Sequence, residues 1–425
     1  MLSRGSLISL TSLLLAPRYF SGAFSFFFMS SKESGGSPRP LKRTLSTMAG
    51  DTASESFFQN VSSKEAKSLT DGVKLANSEV ILPWIGYGTY KLGKDNAKEC
   101  TLEALRRGYR CIDTAFIYGG ETTEKNVGLA LQEAFAEKIV TRDQVVIVTK
   151  HWRAYHGYAP TMECLRKSLK RLQVNSIDLW LIHWPGPAYN TMTRRKDVIE
   201  EQGPFAYAKT SEEDMPALRS ETWRAMEDAV KNGKVKAIGV SNFSVNHLKR
   251  LKETATIWPP AVNQIEYHPL YQQKELVEYC RQEGTVVQAY ASLGGQDTGK
   301  KFWQKVYPAK QKQPVVSKLW NTPPVLELAE QVQKTPAQVL LRWALEHGAA
   351  IVPKTSTPER MTENASILDF SLSMEQVQSL EDRLNRDVKA STAEEGEGRD
   401  GETGDRESLG RLCWKNDPLR LLDFD

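Results

Sequence analysis

The chain has 425 residues, 40% of them hydrophobic and 25% charged, the balance of a globular protein rather than a fibrous or low-complexity one. Its net charge of +4 is local: residues 1–50 hold six basic side chains against the single acid Glu33, so the rest sums to −1. A nearly neutral body gives no basis for a nucleic-acid partner.

Residues 1–68 read as leader and polar linker. Leu7–Ala16 is a short apolar run behind Arg4, as in a signal peptide, while the Ser-rich, acid-poor stretch to Arg43 fits an organelle transit peptide, for example mitochondrial. Starts at Met29 or Met48 would instead give a cytoplasmic protein. The scattered Cys100, Cys111, Cys164, Cys280 and Cys413 form no CxxC pair, which fits free thiols in a reducing compartment. No apolar run reaches the roughly 18 residues of a spanning helix.

Short runs on either side of Asn77 and Ser78 (VKL, then VILPW) predict a hairpin. Eight β-rich runs follow: IGYGTY (85–90), RCIDTA (110–115), VVIVTK (145–150), LWLIHW (179–184), AIGVSN (237–242), AVNQIEY (261–267), VVQAYA (286–291) and AIVPK (350–354). Between them lie segments such as AKECTLEALRR and TMECLRKSLKRL, with apolar residues at helical spacing. This alternation over residues 69–388 predicts an α/β domain. An open doubly wound sheet and a closed (β/α)₈ barrel compete. The count of eight favours the barrel, and no GxGxxG follows the first strand. Residues 389–425 read as a tail with an acidic, disordered insert, STAEEGEGRDGETGDRES.

Buried parallel strands should be apolar runs. Here each ends on a polar or aromatic residue: Tyr90, Asp113, Lys150, His183, Asn242, Gln264, Tyr290 and Lys354. In a barrel these ends share one rim, where reactive groups collect. Taken singly, Asp113 or Lys150 is as easily a solvated loop residue, and His183 a core histidine. The six histidines include no HExxH, so zinc hydrolysis has no support.

At five places in order the chain resembles the aldo-keto reductases, from about residue 72 to 388. The segments are GYRCIDTAFIYGGE (108–121), LKRLQVNSIDLWLIHWP (169–185), KAIGVSNF (236–243), VNQIEYHP (262–269) and PKTSTPERMTEN (353–364). The resemblance implies reduction of aldehydes and ketones by NADPH, with Asp113, Tyr118, Lys150 and His183 as the catalytic group. Tyr118 would be the general acid. Lys150, held by Asp113, would lower its pKa, and His183 would orient the carbonyl. Ser241, Asn242 and Gln264 would hold the nicotinamide carboxamide, and Tyr290 would stack on its ring. Lys354, Thr355 and Arg360 would bind the 2′-phosphate, and Glu363 and Asn364 would meet the adenine. Gly88, Thr89, Tyr90, Asp113, Ser292, Leu293 and Ser356 complete the implied cofactor contacts. Tyr90, Trp152, His183 and Trp184 would face the substrate. No metal is called for, and the family is often monomeric.

The chain departs from the family pattern in several places. The loop after Tyr118, GGETTEKNVG, is about three residues longer than usual. Tyr90 stands where Trp is common, and Ala291–Ser292 where Ser–Pro is usual. Residues 186–216 and 296–322 are long and are expected to overhang the pocket. These loops, with the acidic insert, motivate the competing reading of a cofactor-binding regulatory or interaction protein with little turnover.

Overall fold

The computed structural model describes residues 56–93, 96–186, 215–295, 300–308 and 315–393. Eight parallel strands form one sheet in chain order: β4 (Tyr87–Gly88), β5 (Cys111–Asp113), β6 (Val146–His151), β7 (Ile177–Ile182), β8 (Val235–Ser241), β9 (Val262–Glu266), β10 (Val286–Tyr290) and β11 (Ala350–Ile351). The ends meet. Ile351 N donates to Trp84 O, Gly86 N to Ile351 O (both 2.8 Å), and Gly88 N to Pro353 O at 3.1 Å. The sheet is therefore a closed (β/α)₈ barrel, and each of the eight predicted runs supplies one strand.

Composition explains the closure. Every residue of β6 and β7 is buried, as expected of strands covered by a packed interior on one side and helices on the other. At Gly88 an added Cβ would lie 2.6 Å from Val352 O, so glycine is needed where the first and last strands meet. The intervening helices begin on legible signals. Thr335 accepts from Gln338 N while the Gln338 side chain accepts from Thr335 N, ahead of the helix Pro336–Glu346. The TPAQ string is thus a capping box with proline in the first turn.

The expected hairpin is present: β2 (Asp71–Lys74) pairs antiparallel with β3 (Ile81–Pro83). The linker expected up to residue 68 ends sooner. Gln59–Asn60 (β1) pair with Asp71–Gly72, Ala66 is buried, Ser63 Oγ donates to Leu345 O at 2.6 Å, and Trp84 Nε1 donates to Val61 O at 2.9 Å. Phe58, Val61 and Ala66 are apolar anchors within a Ser- and Lys-rich stretch whose average composition hides them.

Two other expectations change. The described part of 296–322 packs down as well as connecting. Trp303 and Leu319 are fully buried, and Tyr307 donates to Asp387 at 2.8 Å on the closing helix Met374–Ala393. That helix runs five residues into the segment read as tail. The remaining acidic insert (394–408) and residues 187–214 lie outside the described residues. No described helix is long and apolar enough to cross a membrane.

Candidate active site

The strand ends bring Asp113, Lys150 and His183 to one rim, with Tyr118 on the loop after β5. Lys150 is fully buried, and the three N–H donors of its ammonium are shared among four acceptors within bonding distance: Asp113 Oδ1 at 2.7 Å, Asp113 Oδ2 at 2.8 Å, Thr114 O at 2.8 Å and the Tyr118 hydroxyl at 3.3 Å. The His183 ring stands edge-on to Tyr118, centroids 5.8 Å apart. The four side chains expected to act together therefore meet in one cluster.

The expected fall in the Tyr118 pKa is not found. Burial pushes the hydroxyl well above the usual tyrosine range, and Asp113 and Tyr90 push the same way. Asp113 binds Lys150 with both oxygens and offsets part of its charge at the phenol, so burial decides the direction. Tyr118 thus rests protonated and neutral. Burial also pulls the Lys150 ammonium down, against the opposing charge of Asp113. Burial, then Lys150, Arg153 and His151, hold His183 well below the usual histidine value, so it is neutral near pH 7. Its Nδ1 is buried without a partner, which puts the proton on Nε2, since an unmet acceptor costs less than an unmet donor.

Two more histidines back this site. His151 is fully buried with its pKa lowered to about 4, and His156, 2% exposed, is held well below its usual value, in both cases chiefly by burial. Both bind protons more readily unfolded than folded. Their contribution is complete above about pH 6.5 and is lost as the pH falls toward the folded values, at about 1.4 kcal/mol per pH unit for each. The urea midpoint should therefore drop between about pH 7.5 and about pH 5.5. Equal midpoints would remove this account.

On the opposite side of the rim, the polar residues first bond one another. Gln264 Nε2 donates to Asp113 Oδ2 at 2.8 Å and to Gln288 Oε1 at 2.7 Å, so its donors are committed and its oxygen is left to accept. Asn242, at φ 63°, donates to His183 O (2.9 Å) and Ser241 Oγ (3.1 Å), and accepts from the Tyr290 hydroxyl at 2.7 Å. Ser241 Oγ donates to Gln264 O, and Thr89 Oγ1 to Asp113 O. After Tyr290 the chain turns tightly: Ala291 is left-handed at φ 54°, Gly294 N donates to Ala291 O at 2.7 Å, and Ser292 is buried beside Leu293.

The 353–364 segment runs from β11 into the helix Pro358–Ala365. The Tyr87 hydroxyl pins it by donating to Thr355 O at 2.5 Å. Thr355 Oγ1 accepts from Thr357 N. Lys354 is half-buried, and Ser356 and Arg360 are exposed. Neither Lys354 nor Arg360 is ion-paired with a described residue, and burial and Lys91 both press the Lys354 ammonium downward. Two unmatched cations at a helix start suit a phosphate dianion. Glu363 accepts from Thr335 Oγ1 at 2.5 Å, and Asn364 is buried.

Of the expected pocket walls, Tyr90 is exposed and its ring lies 4.9 Å from Tyr118, while Trp152 is 5.9 Å from His183. Trp184 is only 5% exposed, stacked between His183 and Arg153. It backs His183 more than it lines open space. Sequence reasoning passed over Gln288 and the carbonyl of Thr114. Gln288 lies two residues before Tyr290, hence on the same strand face, and a glutamine inside a buried strand is a signal in itself. A backbone carbonyl offers none.

A model of the Aldo/keto reductase family matches residues 84–385. The chain is 37% identical over 323 residues to a glyoxal reductase of Bacillus subtilis, covering 76% of this chain and 95% of that protein. It is 36% identical over 304 residues to an NADPH-dependent D-xylose reductase of Meyerozyma guilliermondii, covering 70% and 90%. The crystal structure of an aldo/keto reductase from Brucella melitensis aligns with a TM-score of 0.57 at 32% identity, over 73% of this chain and 98% of that one. These matches span the barrel on which the Asp113, Lys150, Tyr118 and His183 cluster is built, and by them the chain belongs to the aldo-keto reductase family.

Proposed function

We propose that this oxidoreductase reduces aldehydes and small ketones with NADPH. The carrying observation is the Lys150 ammonium, shared between Asp113 and the hydroxyl of a neutral Tyr118 beside a neutral His183. When bound, the reduced nicotinamide supplies a hydride to the carbonyl carbon. His183 Nε2–H donates to the carbonyl oxygen and orients it. Tyr118 gives that oxygen its proton as charge develops there. Lys150 stands 3.3 Å from the phenol oxygen and stabilises the phenolate that remains. Asp113 keeps the ammonium aimed. Exposed Tyr90 and half-buried Trp152 favour apolar or aromatic carbonyl compounds.

The donor set fits the cofactor. The free Gln264 oxygen can accept from a carboxamide, and Lys354 with Arg360 offers charge for a 2′-phosphate. Replacing both Lys354 and Arg360 by Met should weaken NADPH binding by about 100-fold and leave NADH binding nearly unchanged. Cofactor fluorescence titrations measure both, and equal losses for the two cofactors would contradict the 2′-phosphate role. The activity itself is tested by following NADPH oxidation over a panel of aldehydes and ketones that includes glyoxal and D-xylose. Tight NADPH binding without turnover on any of them would transfer support to the regulatory reading.

A further inference from the structure

The loop that carries Tyr118 has an unusual backbone. Gly119, Gly120 and Glu121 lie at φ 60°, 61° and 75°, three successive left-handed residues. Glycine adopts this freely and glutamate does not. Apart from Thr122 Oγ1 to Gly119 O at 2.7 Å, the loop's own bonds are modest: Tyr118 N to Ala115 O and Gly120 N to Ile117 O at 3.1 Å, and Thr123 N to Tyr118 O at 3.3 Å. A Gly-Gly-Glu run with those bonds does not by itself fix a hydroxyl next to Lys150.

One side chain from another helix spans the loop. Arg171, in the last turn of Tyr158–Leu172, lies over the Phe116 ring, 4.1 Å from its centroid and two residues before Tyr118. Its Nη2 donates to the Glu121 carboxylate, three residues after Tyr118. Its Nη1 donates to Glu124 Oε2 at 3.3 Å, in the first turn of the helix Thr122–Ala136. Glu124 is fully buried, and its other oxygen accepts from Thr149 Oγ1 at 2.7 Å. Thr149 is the residue before Lys150. A single guanidinium therefore ties both flanks of Tyr118 to the strand that presents Lys150, using the planar fork and ring contact that arginine makes and lysine does not.

The geometry points to Arg171 as a positioning residue for the acid, setting the Tyr118 loop against the Lys150 strand. Of the four acceptors that share the three N–H donors of Lys150, Tyr118 is the farthest, so its contact is the first to be lost if the loop drifts. The longer loop of this chain is then tolerated because Glu121 gives it an outside anchor. The inference rests on Tyr118 being the proton donor.

The test compares Arg171→Met, Arg171→Lys and Glu121→Ala with wild type, taking as control Arg166→Met, whose exposed side chain, among the described residues, pairs with Glu163 on the same helix. Arg171→Met should lower kcat on the order of 10²-fold, the cost of misplacing a reacting group by about 1 Å. KM for the aldehyde and the Kd of NADPH should be unchanged. Arg171→Lys should recover part of that loss. Because Arg171→Met leaves Glu124 buried and unpaired and so risks the fold, Glu121→Ala is the safer probe: it keeps the buried pair, and its kcat should still fall. Amide hydrogen exchange over residues 115–124 should quicken in each clasp variant and not in Arg166→Met. Wild-type kcat in folded Arg171→Lys and Glu121→Ala, or unchanged exchange over 115–124, overturns the proposal. A wild-type protein without turnover would instead overturn the reductase reading, before any variant is made, and exchange would still decide whether Arg171 holds the loop.

Discussion

Tyr118→Phe should bind NADPH as wild type does and lose turnover by about 10³-fold, within the range of general-acid contributions. The substitution removes one oxygen, whose contact with the Lys150 ammonium is 3.3 Å long, so the fold has little to lose. No neighbour replaces the proton readily. His183 is held neutral by burial and by the charges of Lys150 and Arg153, which makes its Nε2–H a hydrogen-bond donor and a poor acid. Lys150 carries a proton but gives its shorter bonds to Asp113 and Thr114. Single-turnover measurements with saturating NADPH separate chemistry from binding and product release. If Tyr118→Phe keeps its rate while His183→Ala abolishes it, the proton comes through His183 and the role given to Tyr118 is wrong.

What could be read from the residues follows from how local each signal is. The barrel was legible because each strand is a short apolar run and each helix has its own period. Strand ends made Asp113, Lys150 and His183 visible as rim residues before any geometry was known. Tyr118 was different: it lies in a loop, where only the family resemblance singled it out. The direction of its pKa is not legible because burial, its largest cause, is set by the whole fold; the pairing of Lys150 with Asp113 is expected from the sequence, but not that the carboxylate and burial together outweigh the ammonium at the phenol. The Arg171 clasp joins residues 50 apart, a distance no local pattern encodes. The fold's true start was hidden for the opposite reason, since a few anchors, Phe58, Val61 and Ala66, sit in a stretch whose composition is polar.

Lys150→Met should be costly twice. It removes the ammonium beside Tyr118, and it strands the Asp113 carboxylate, 3% exposed, with Gln264 as its remaining side-chain donor. Breaking one side of a buried pair typically costs about 3–5 kcal/mol. Asp113→Asn in the same chain removes the stranded charge, so the double variant Asp113→Asn/Lys150→Met should recover much of that stability and none of the turnover. Such strong non-additivity is expected of residues in direct contact. Urea unfolding near pH 7 measures the stability arm, and NADPH-dependent turnover the other. If Lys150→Met were as stable as wild type, Asp113 would not depend on the ammonium for its place in the barrel. If the double variant turned over, the pair would be structural and the phenol would work unaided. The expected outcome separates the two roles on physical grounds. A buried ion pair contributes little net stability compared with apolar side chains of the same size, because desolvation offsets most of the attraction. A lysine this enclosed, bonded to two carboxylate oxygens and a carbonyl, is therefore better explained by the phenol it also touches than by the fold it sits in.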